Sequence, residues 1–188
     1  MTHLGTKTLE TDRLILRRFT IGDADAMFAN WANDPDVTKF LMWQPHGNTD
    51  VTKAILGEWV SRYGEDDFYN WAITLKSNGG EPIGSIAVVD KHDHIEMVHI
   101  GYCLGKNWWR RGIMSEALGA LVKFFFEEVR VNRIESRHDT RNPNSGKVML
   151  KCGLLYEGTH RDGDHSNQGI GDSAMYAILA ADYREMIK

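Results

Sequence analysis

The sequence predicts an α/β (α+β) protein built on one mixed, mostly antiparallel sheet of about seven strands flanked by helices. Three observations predict it. Strand-like runs at residues 69–75 and 82–90 enclose Ser77-Asn78-Gly79-Gly80, a hairpin turn in which glycine supplies the backbone freedom. A strand-like run at 94–104, an amphipathic stretch from Gly112 to Val129 and a run at 133–139 form a strand–helix–strand unit. Runs at 154–161 and 172–180 read as a last antiparallel pair, joined by a polar loop holding Gly163, Gly169 and Gly171.

The remaining elements follow in order. Residues 13–19 read as the first strand, with Leu14 and Leu16 on one face and Ile15 on the other. Thr20 or Asp23 can cap a helix carrying Ala26, Met27, Asn30 and Trp31, which must stop before Pro35. Residues 36–48, with Pro45 and Gly47, read as loop. Thr49 or Asp50 can cap a second helix with Val51, Ile55, Trp59 and Val60 along one stripe, broken at Gly64. After Gly112, Met114, Leu118, Leu121, Val122, Phe125 and Val129 share one helix face. A short helix at 145–151 should end at Gly153. Neither an internal repeat nor a linker interrupts the pattern, so residues 1–188 are expected to be one domain.

Composition narrows the function. The net charge of −4 argues against a nucleic-acid partner, which usually selects a basic surplus. Apolar runs fall short of the ~20 residues that cross a bilayer, so no membrane partner is expected. The first residues, Met1-Thr2-His3-Leu4-Gly5, lack the features of a secretion signal. Cys103 and Cys152 are therefore expected to be reduced packing residues of a cytoplasmic protein, although a catalytic thiol is the other reading.

The most informative stretch is Asn107-Trp108-Trp109-Arg110-Arg111-Gly112-Ile113-Met114-Ser115-Glu116-Ala117. It puts two arginines and a glycine where a turn becomes a helix. A helix N-terminus presents unpaired N–H groups and the positive end of the helix dipole, and so favours an anion. Gly112 lets the backbone approach a ligand, and Arg110 and Arg111 add charge suited to phosphate oxygens. The plainer reading is a basic surface turn before an ordinary helix.

The stretch Trp109 to Ala117 resembles the coenzyme-A pyrophosphate loop of GCN5-related N-acetyltransferases. It is most similar to the branch that acetylates N-termini of ribosomal proteins, where Trp-Gly-Lys-Gly-Tyr-Ala-Thr-Glu-Ala is usual. Three further stretches resemble the family in its own order: Glu10-Thr11-Asp12-Arg13-Leu14-Ile15-Leu16-Arg17, Ile100-Gly101-Tyr102-Cys103-Leu104, and Asn142-Pro143-Asn144-Ser145 with the residues after it. The resemblance implies a sheet whose two central strands splay apart to admit acetyl-coenzyme A, the acetyl donor; no metal is expected, since the histidine and acidic clusters lack a ligand spacing. It implies that the backbone of Cys103 and Leu104 pairs with the pantetheine arm, and that the segment from Arg110 through Arg111, Gly112, Ile113 and Met114 to Ser115 cradles the pyrophosphate. Arg110 and Met114 depart from the small residues usual there, and Met114 could crowd the cradle.

By the same resemblance, Ser145 protonates the departing thiolate and Asn142 hydrogen-bonds the cofactor; the alternatives are a helix cap and a turn former. Many relatives carry a glutamate where this chain has His99, with Glu96 three positions earlier. Either is a candidate base, and strand alternation places the two on opposite faces. The third option is no dedicated base. An α-amine near pKa 7.8 costs about 1 kcal/mol to deprotonate at pH 7, against about 4.6 for a lysine. A weak or absent base therefore fits a protein N-terminus or another low-pKa amine.

Acceptor contacts are expected from residues 36–48, with Phe40 and Trp43 as candidates, and from 158–171; the helix tryptophans are expected in the core. The acceptor is a peptide N-terminus or a small amine such as a polyamine, amino acid or aminoglycoside. A module that senses acyl-coenzyme A without turnover is the reading from another class. His92-Asp93-His94 and the cluster His160, Asp162, Asp164 and His165 lack a metal-ligand spacing. An exposed last strand would let two copies pair as a homodimer.

Overall fold

The computed structural model describes residues 1–188. Its strands are β1 (Leu9–Glu10), β2 (Leu14–Arg17), β3 (Asn70–Leu75), β4 (Pro82–His92), β5 (Met97–Leu104), β6 (Arg133–Asp139), β7 (Leu155–Ser166) and β8 (Gly169–Leu179). They form one sheet in the order β1-β2-β3-β4-β5-β6-β8-β7, in which only β5 and β6 run parallel. The strand beyond the expected seven is the two-residue β1, which pairs with β2 through Leu9 and Glu10. Helices are α1 (Ala24–Met27), α2 (Pro35–Thr38), α3 (Thr49–Ser61), α4 (Ile113–Phe124), α5 (Pro143–Lys151) and α6 (Ala180–Met186).

Helix α4 lies across β2 and the central strands. All six residues of its predicted stripe are in the main core cluster, together with Val98, Ile100 and Leu104 of β5 and Ile134 of β6. The helix changes to a π turn at Phe125–Val129, so the stripe continues beyond its last α-helical residue. On the other face, α1 and α3 bury a smaller cluster around Phe19, Met27, Trp31, Leu56 and Ala72. Strand alternation therefore divides β5: its even-numbered residues pack under α4, while His99, Gly101 and Cys103 face the tryptophan-bearing helices.

Several boundaries differ from the sequence reading, each for a local reason. Residues 36–48 are not all loop, because Asp34 accepts a hydrogen bond from the Asp36 N–H and Pro35 sits at the first helical position of α2. Helix α3 is capped one residue earlier than expected: Asn48 Oδ1 accepts from the amides of Asp50 and Val51 at 3.0 and 3.2 Å. Helix α5 starts at Pro143 with Asn142 at the cap position, which puts Ser145 inside the first turn and not at the cap. The central strand begins at Met97, not His94, since Asp93–Ile95 form a 3-10 turn and Glu96 is left-handed at φ 51°.

The last hairpin shows the largest difference. Residues expected as a polar loop continue the two strands, with a register slip between His160 and Asp164, a turn at Asn167 and Gln168, and Gly169 beyond it at φ 82°. Strand β8 inserts between β6 and β7, so the last strand has a neighbour on each side and is not free to pair with a second copy. The open edge on that side belongs to β7.

The sheet parts in its middle. β5 and β6 are in register only at Met97↔Arg133, Val98↔Ile134 and His99↔Glu135. One further tie, Ser136 Oγ donating to the Ile100 carbonyl at 2.7 Å, closes the joined section. Beyond it the strands diverge, each held by its outer neighbour: β5 by β4 up to Leu104, β6 by β8 up to Asp139.

Candidate active site

Two cavities open where β5 and β6 part. The larger, about 750 Å³, runs from Tyr102, Cys103 and Leu104 to the start of α4 and across to α5. The smaller, about 460 Å³, lies on the α1/α3 face. Phe40, Leu41, Tyr102, Cys103, Asn142 and Ser145 border both, so the junction is the gap between the strands.

At the far end of the larger cavity the chain turns into α4 with Arg110 at φ 61° and Gly112 at φ 74°. A left-handed arginine is strained, and such strain gathers at ligand-binding turns. None of the backbone N–H groups from Arg110 through Ser115 has an acceptor within the protein. Arg110, Gly112, Ile113, Met114 and Ser115 border the cavity, whereas Arg111 does not. Met114 is buried and belongs to the main core cluster, so most of its side chain is taken up in packing. Lys39, Lys147 and Lys151 also border the cavity, and its carboxylate Asp36 is paired with Lys106. This basic end was missed in the sequence, although Lys147 and Lys151, four residues apart on α5, offered a signal.

The turn is braced from behind. Glu116 accepts from Thr11 Oγ1 at 2.5 Å, from the Arg13 amide at 3.0 Å and from the Arg13 guanidinium at 2.6 Å. Arg13 also donates to the Arg111 carbonyl at 3.0 Å. Burial works against the Glu116 charge, but these donors hold its carboxyl below the usual range. Two of the four family-like stretches are thus bonded to each other. Replacing Glu116 with glutamine is expected to weaken coenzyme A binding about tenfold by calorimetry, because the charge-assisted brace is lost.

On the smaller-cavity side, His99 is 7% exposed and its Nδ1 lies 3.9 Å from Glu135 Oε2. Burial, aided by the charge of Arg137, lowers its pKa below the ordinary histidine value, and Glu135 only partly offsets this. The imidazole is therefore neutral near pH 7. Glu96 lies elsewhere: its carboxylate pairs with the Met1 amine and borders neither cavity. Of the two candidate bases, the fold brings only His99 to the gap.

Ser145 Oγ donates to Tyr102 Oη at 3.1 Å, and Tyr102 Oη donates to the Ser145 carbonyl at 2.9 Å. Burial raises the Tyr102 pKa, so the phenol stays protonated. Asn142 makes no side-chain cap bond and borders both cavities. Burial likewise pushes up the Cys103 thiol, which shares a 3.3 Å contact with Ser85 Oγ, and a neutral thiol there is a packing group. Phe40 borders both cavities and Trp43 the smaller one, where they are joined by Trp31 and Trp59; the helix tryptophans are cavity walls as well as core.

A clasp ties the β7–β8 turn to the 38–44 segment that borders the smaller cavity. Asn167, at the β7–β8 turn, donates its amide to the Leu41 carbonyl at 3.0 Å and its Nδ2 to the carbonyls of Thr38 and Trp43 at 2.9 and 2.8 Å. Gln44 Nε2 donates to Asn167 Oδ1 at 2.6 Å. No three His, Cys, Asp or Glu side chains gather to hold a metal ion, and no helix is long and apolar enough to cross a membrane.

Residues 13–155 match the model of the acetyltransferase (GNAT) domain. The chain is 32% identical over 174 residues to the uncharacterized N-acetyltransferase YoaA of Bacillus subtilis, covering 91% of this chain and 96% of that protein. It is 30% identical over 180 residues to the uncharacterized N-acetyltransferase p20 of Bacillus licheniformis, covering 94% and 98%. The fold superposes on the ribosomal-protein-S5-alanine acetyltransferase of Vibrio fischeri with a TM-score of 0.81 at 19% identity, covering 94% of this chain and 98% of that one. With the split sheet, the unpaired amides at α4 and a domain match across most of its length, this chain belongs to the GNAT family of acetyl-CoA-dependent N-acetyltransferases.

Proposed function

We propose that the protein moves the acetyl group of acetyl-coenzyme A onto a primary amine seated in the smaller cavity. The observation that carries this reading is the joining of two cavities through the β5–β6 gap, one with lysines and free amides at its end, the other with four tryptophan and phenylalanine rings and the buried His99 in its wall. In this scheme the free amides from Arg111 to Ser115, with Arg110, hold the pyrophosphate, and Lys147 and Lys151 add charge nearby. The main chain at Cys103 and Leu104 offers the pantetheine arm a strand edge, and Asn142 hydrogen-bonds the cofactor.

The chemistry then balances as follows. The amine nitrogen attacks the thioester carbon, and its N–C bond forms as the C–S bond breaks. His99 takes the proton released by the amine, directly or through one water. The Ser145 hydroxyl turns from Tyr102 to give its proton to the departing sulphur, which leaves as the thiol; the serine is reprotonated from solvent as His99 releases the proton it took. Phe40 and Trp43 contact the acceptor. The N-terminal alanine or serine of a ribosomal protein, the acceptor in the names of several relatives, competes here with a small amine. These roles belong to a protein of the cytoplasm.

Thiol release from acetyl-coenzyme A, followed with an amine panel, tests the reading. Ser145→Ala is expected to lower kcat about tenfold and leave coenzyme A affinity within about twofold, since one hydrogen bond to a developing charge is lost. Wild-type turnover in Ser145→Ala at every pH would remove Ser145 from the scheme. Tight coenzyme A binding without transfer to any amine would favour a sensor.

A further inference from the structure

The wall of the larger cavity carries more positive charge than its own carboxylates match. Asp36, the acidic residue on that wall, is held by Lys106, and Arg141 is held by Asp139 at 2.6 Å. Lys39, Arg110, Lys147 and Lys151 border the same cavity and pair with no carboxylate.

Two of these cations come from one helix. Asn144, Lys147, Val148 and Lys151, at i, i+3, i+4 and i+7, form the face of α5 that borders the cavity, while Gly146 and Met149 are buried on the opposite side. The helix is fastened at both ends. Tyr102 Oη donates to the Ser145 carbonyl at 2.9 Å, and Cys152 Sγ donates to the Ser115 carbonyl at 3.2 Å. Lys151 therefore stands beside the first turn of α4, and Lys147 one turn back toward Ser145. Both lysines are exposed, so a ligand in the groove can reach them. Lys147 Nζ also donates to Asn144 Oδ1 at 3.4 Å, which steadies it.

Lysines at i, i+4 repel each other, and α5 carries no acidic residue to relieve them. The negative end of the helix dipole offsets Lys151 in the last turn, but not Lys147. A dianion shared between them would relieve both. The pyrophosphate of coenzyme A, with one charge on each phosphorus, already has the free amides and Arg110. The remaining anion of that molecule is its 3′-phosphate, a monoester with about −1.5 to −2 charge at pH 7. It sits on the ribose joined directly to the pyrophosphate, so a pyrophosphate on the α4 turn brings it to a neighbouring wall.

Resting on the coenzyme A reading proposed above, we infer that Lys147 and Lys151 hold the 3′-phosphate, so that the enzyme selects coenzyme A over an acyl carrier lacking that group. Arg110 and the amides serve either carrier; the α5 lysines tell them apart.

Calorimetry with coenzyme A and dephospho-coenzyme A, which differ only in the 3′-phosphate, tests this. The wild type is expected to bind coenzyme A about tenfold more tightly, the gain from two charge-assisted contacts at an exposed site. In the double variant Lys147→Gln, Lys151→Gln, coenzyme A affinity should fall to that of dephospho-coenzyme A, which itself should change less than about twofold. Added salt should weaken coenzyme A more than dephospho-coenzyme A in the wild type, and both equally in the variant. Equal affinity of the wild type for the two ligands, or a folded double variant that loses both alike, overturns the assignment while coenzyme A binding stands. Folded wild-type protein that binds neither ligand at millimolar concentration overturns the coenzyme A reading as well.

Discussion

Replacing His99 with glutamine is expected to lower kcat/KM for the acceptor about a hundredfold while coenzyme A affinity changes less than about twofold. Glutamine retains the size and a hydrogen-bonding head but cannot take a proton at neutral pH. The wild-type pH profile carries the same information. Burial, with Arg137, lowers the His99 pKa, so the base is already free at the ordinary histidine value of about 6.5. Above that pH the rate should rise only with deprotonation of the amine, and the limb set by His99 should lie lower. Stability moves in the same window. The unfolded chain binds the His99 proton more readily than the folded one, so the contribution is complete above about pH 6.5 and is lost as pH falls toward the lower folded pKa. His46, also lowered by burial, adds to that slope. A kcat/KM in His99→Gln within threefold of wild type would show that the amine needs no dedicated base.

Gly84→Ala is expected to have the second large effect, although residue 84 touches no substrate in the proposed scheme. A Cβ there would lie 2.5 Å from the Cys103 carbonyl oxygen and 3.0 Å from Leu104 Cα. Both are main-chain atoms of the strand proposed to receive the pantetheine arm, paired with β4 at Gly84↔Leu104 and Ser85↔Cys103. The backbone cannot yield as a side chain would, so the strand must shift. The expected cost is about 1–3 kcal/mol in thermal unfolding, with coenzyme A affinity down about tenfold. Gly119→Ala on α4 is the control: its Cβ would meet nothing within 4 Å, and alanine favours a helix over glycine. A Gly84→Ala protein that binds coenzyme A normally would mean that the arm does not follow Cys103 and Leu104.

The periodic parts of this fold were legible in the sequence. The α4 stripe, the first hairpin and the strand–helix–strand unit are local patterns, and burial kept them as expected. The turn into α4, proposed to hold the pyrophosphate, was legible for the same reason, since glycine, arginines and a helix start are neighbours in the chain. What was not legible depends on pairs far apart in sequence. The Thr11–Arg13–Glu116 brace spans about a hundred residues and has no local mark. Glu96 looked equivalent to His99 until a left-handed residue and the pairing with Met1 took it out of the strand. The tryptophans of the first helices carry an ordinary core spacing; only the parting of β5 and β6, set by three paired residues on each strand, makes a cavity wall of them. The run 162–171 is rich in turn formers, yet pairing across the hairpin extends both strands through most of it.

The fastening of the hairpin tip at Asn167 fixes one wall of the smaller cavity. Its four hydrogen bonds, worth on the order of 1 kcal/mol each, would hold the lifted form at about one molecule in a thousand. The tip therefore stays down nearly all of the time, and the 38–44 segment that carries Phe40 and Trp43 is held in place with it.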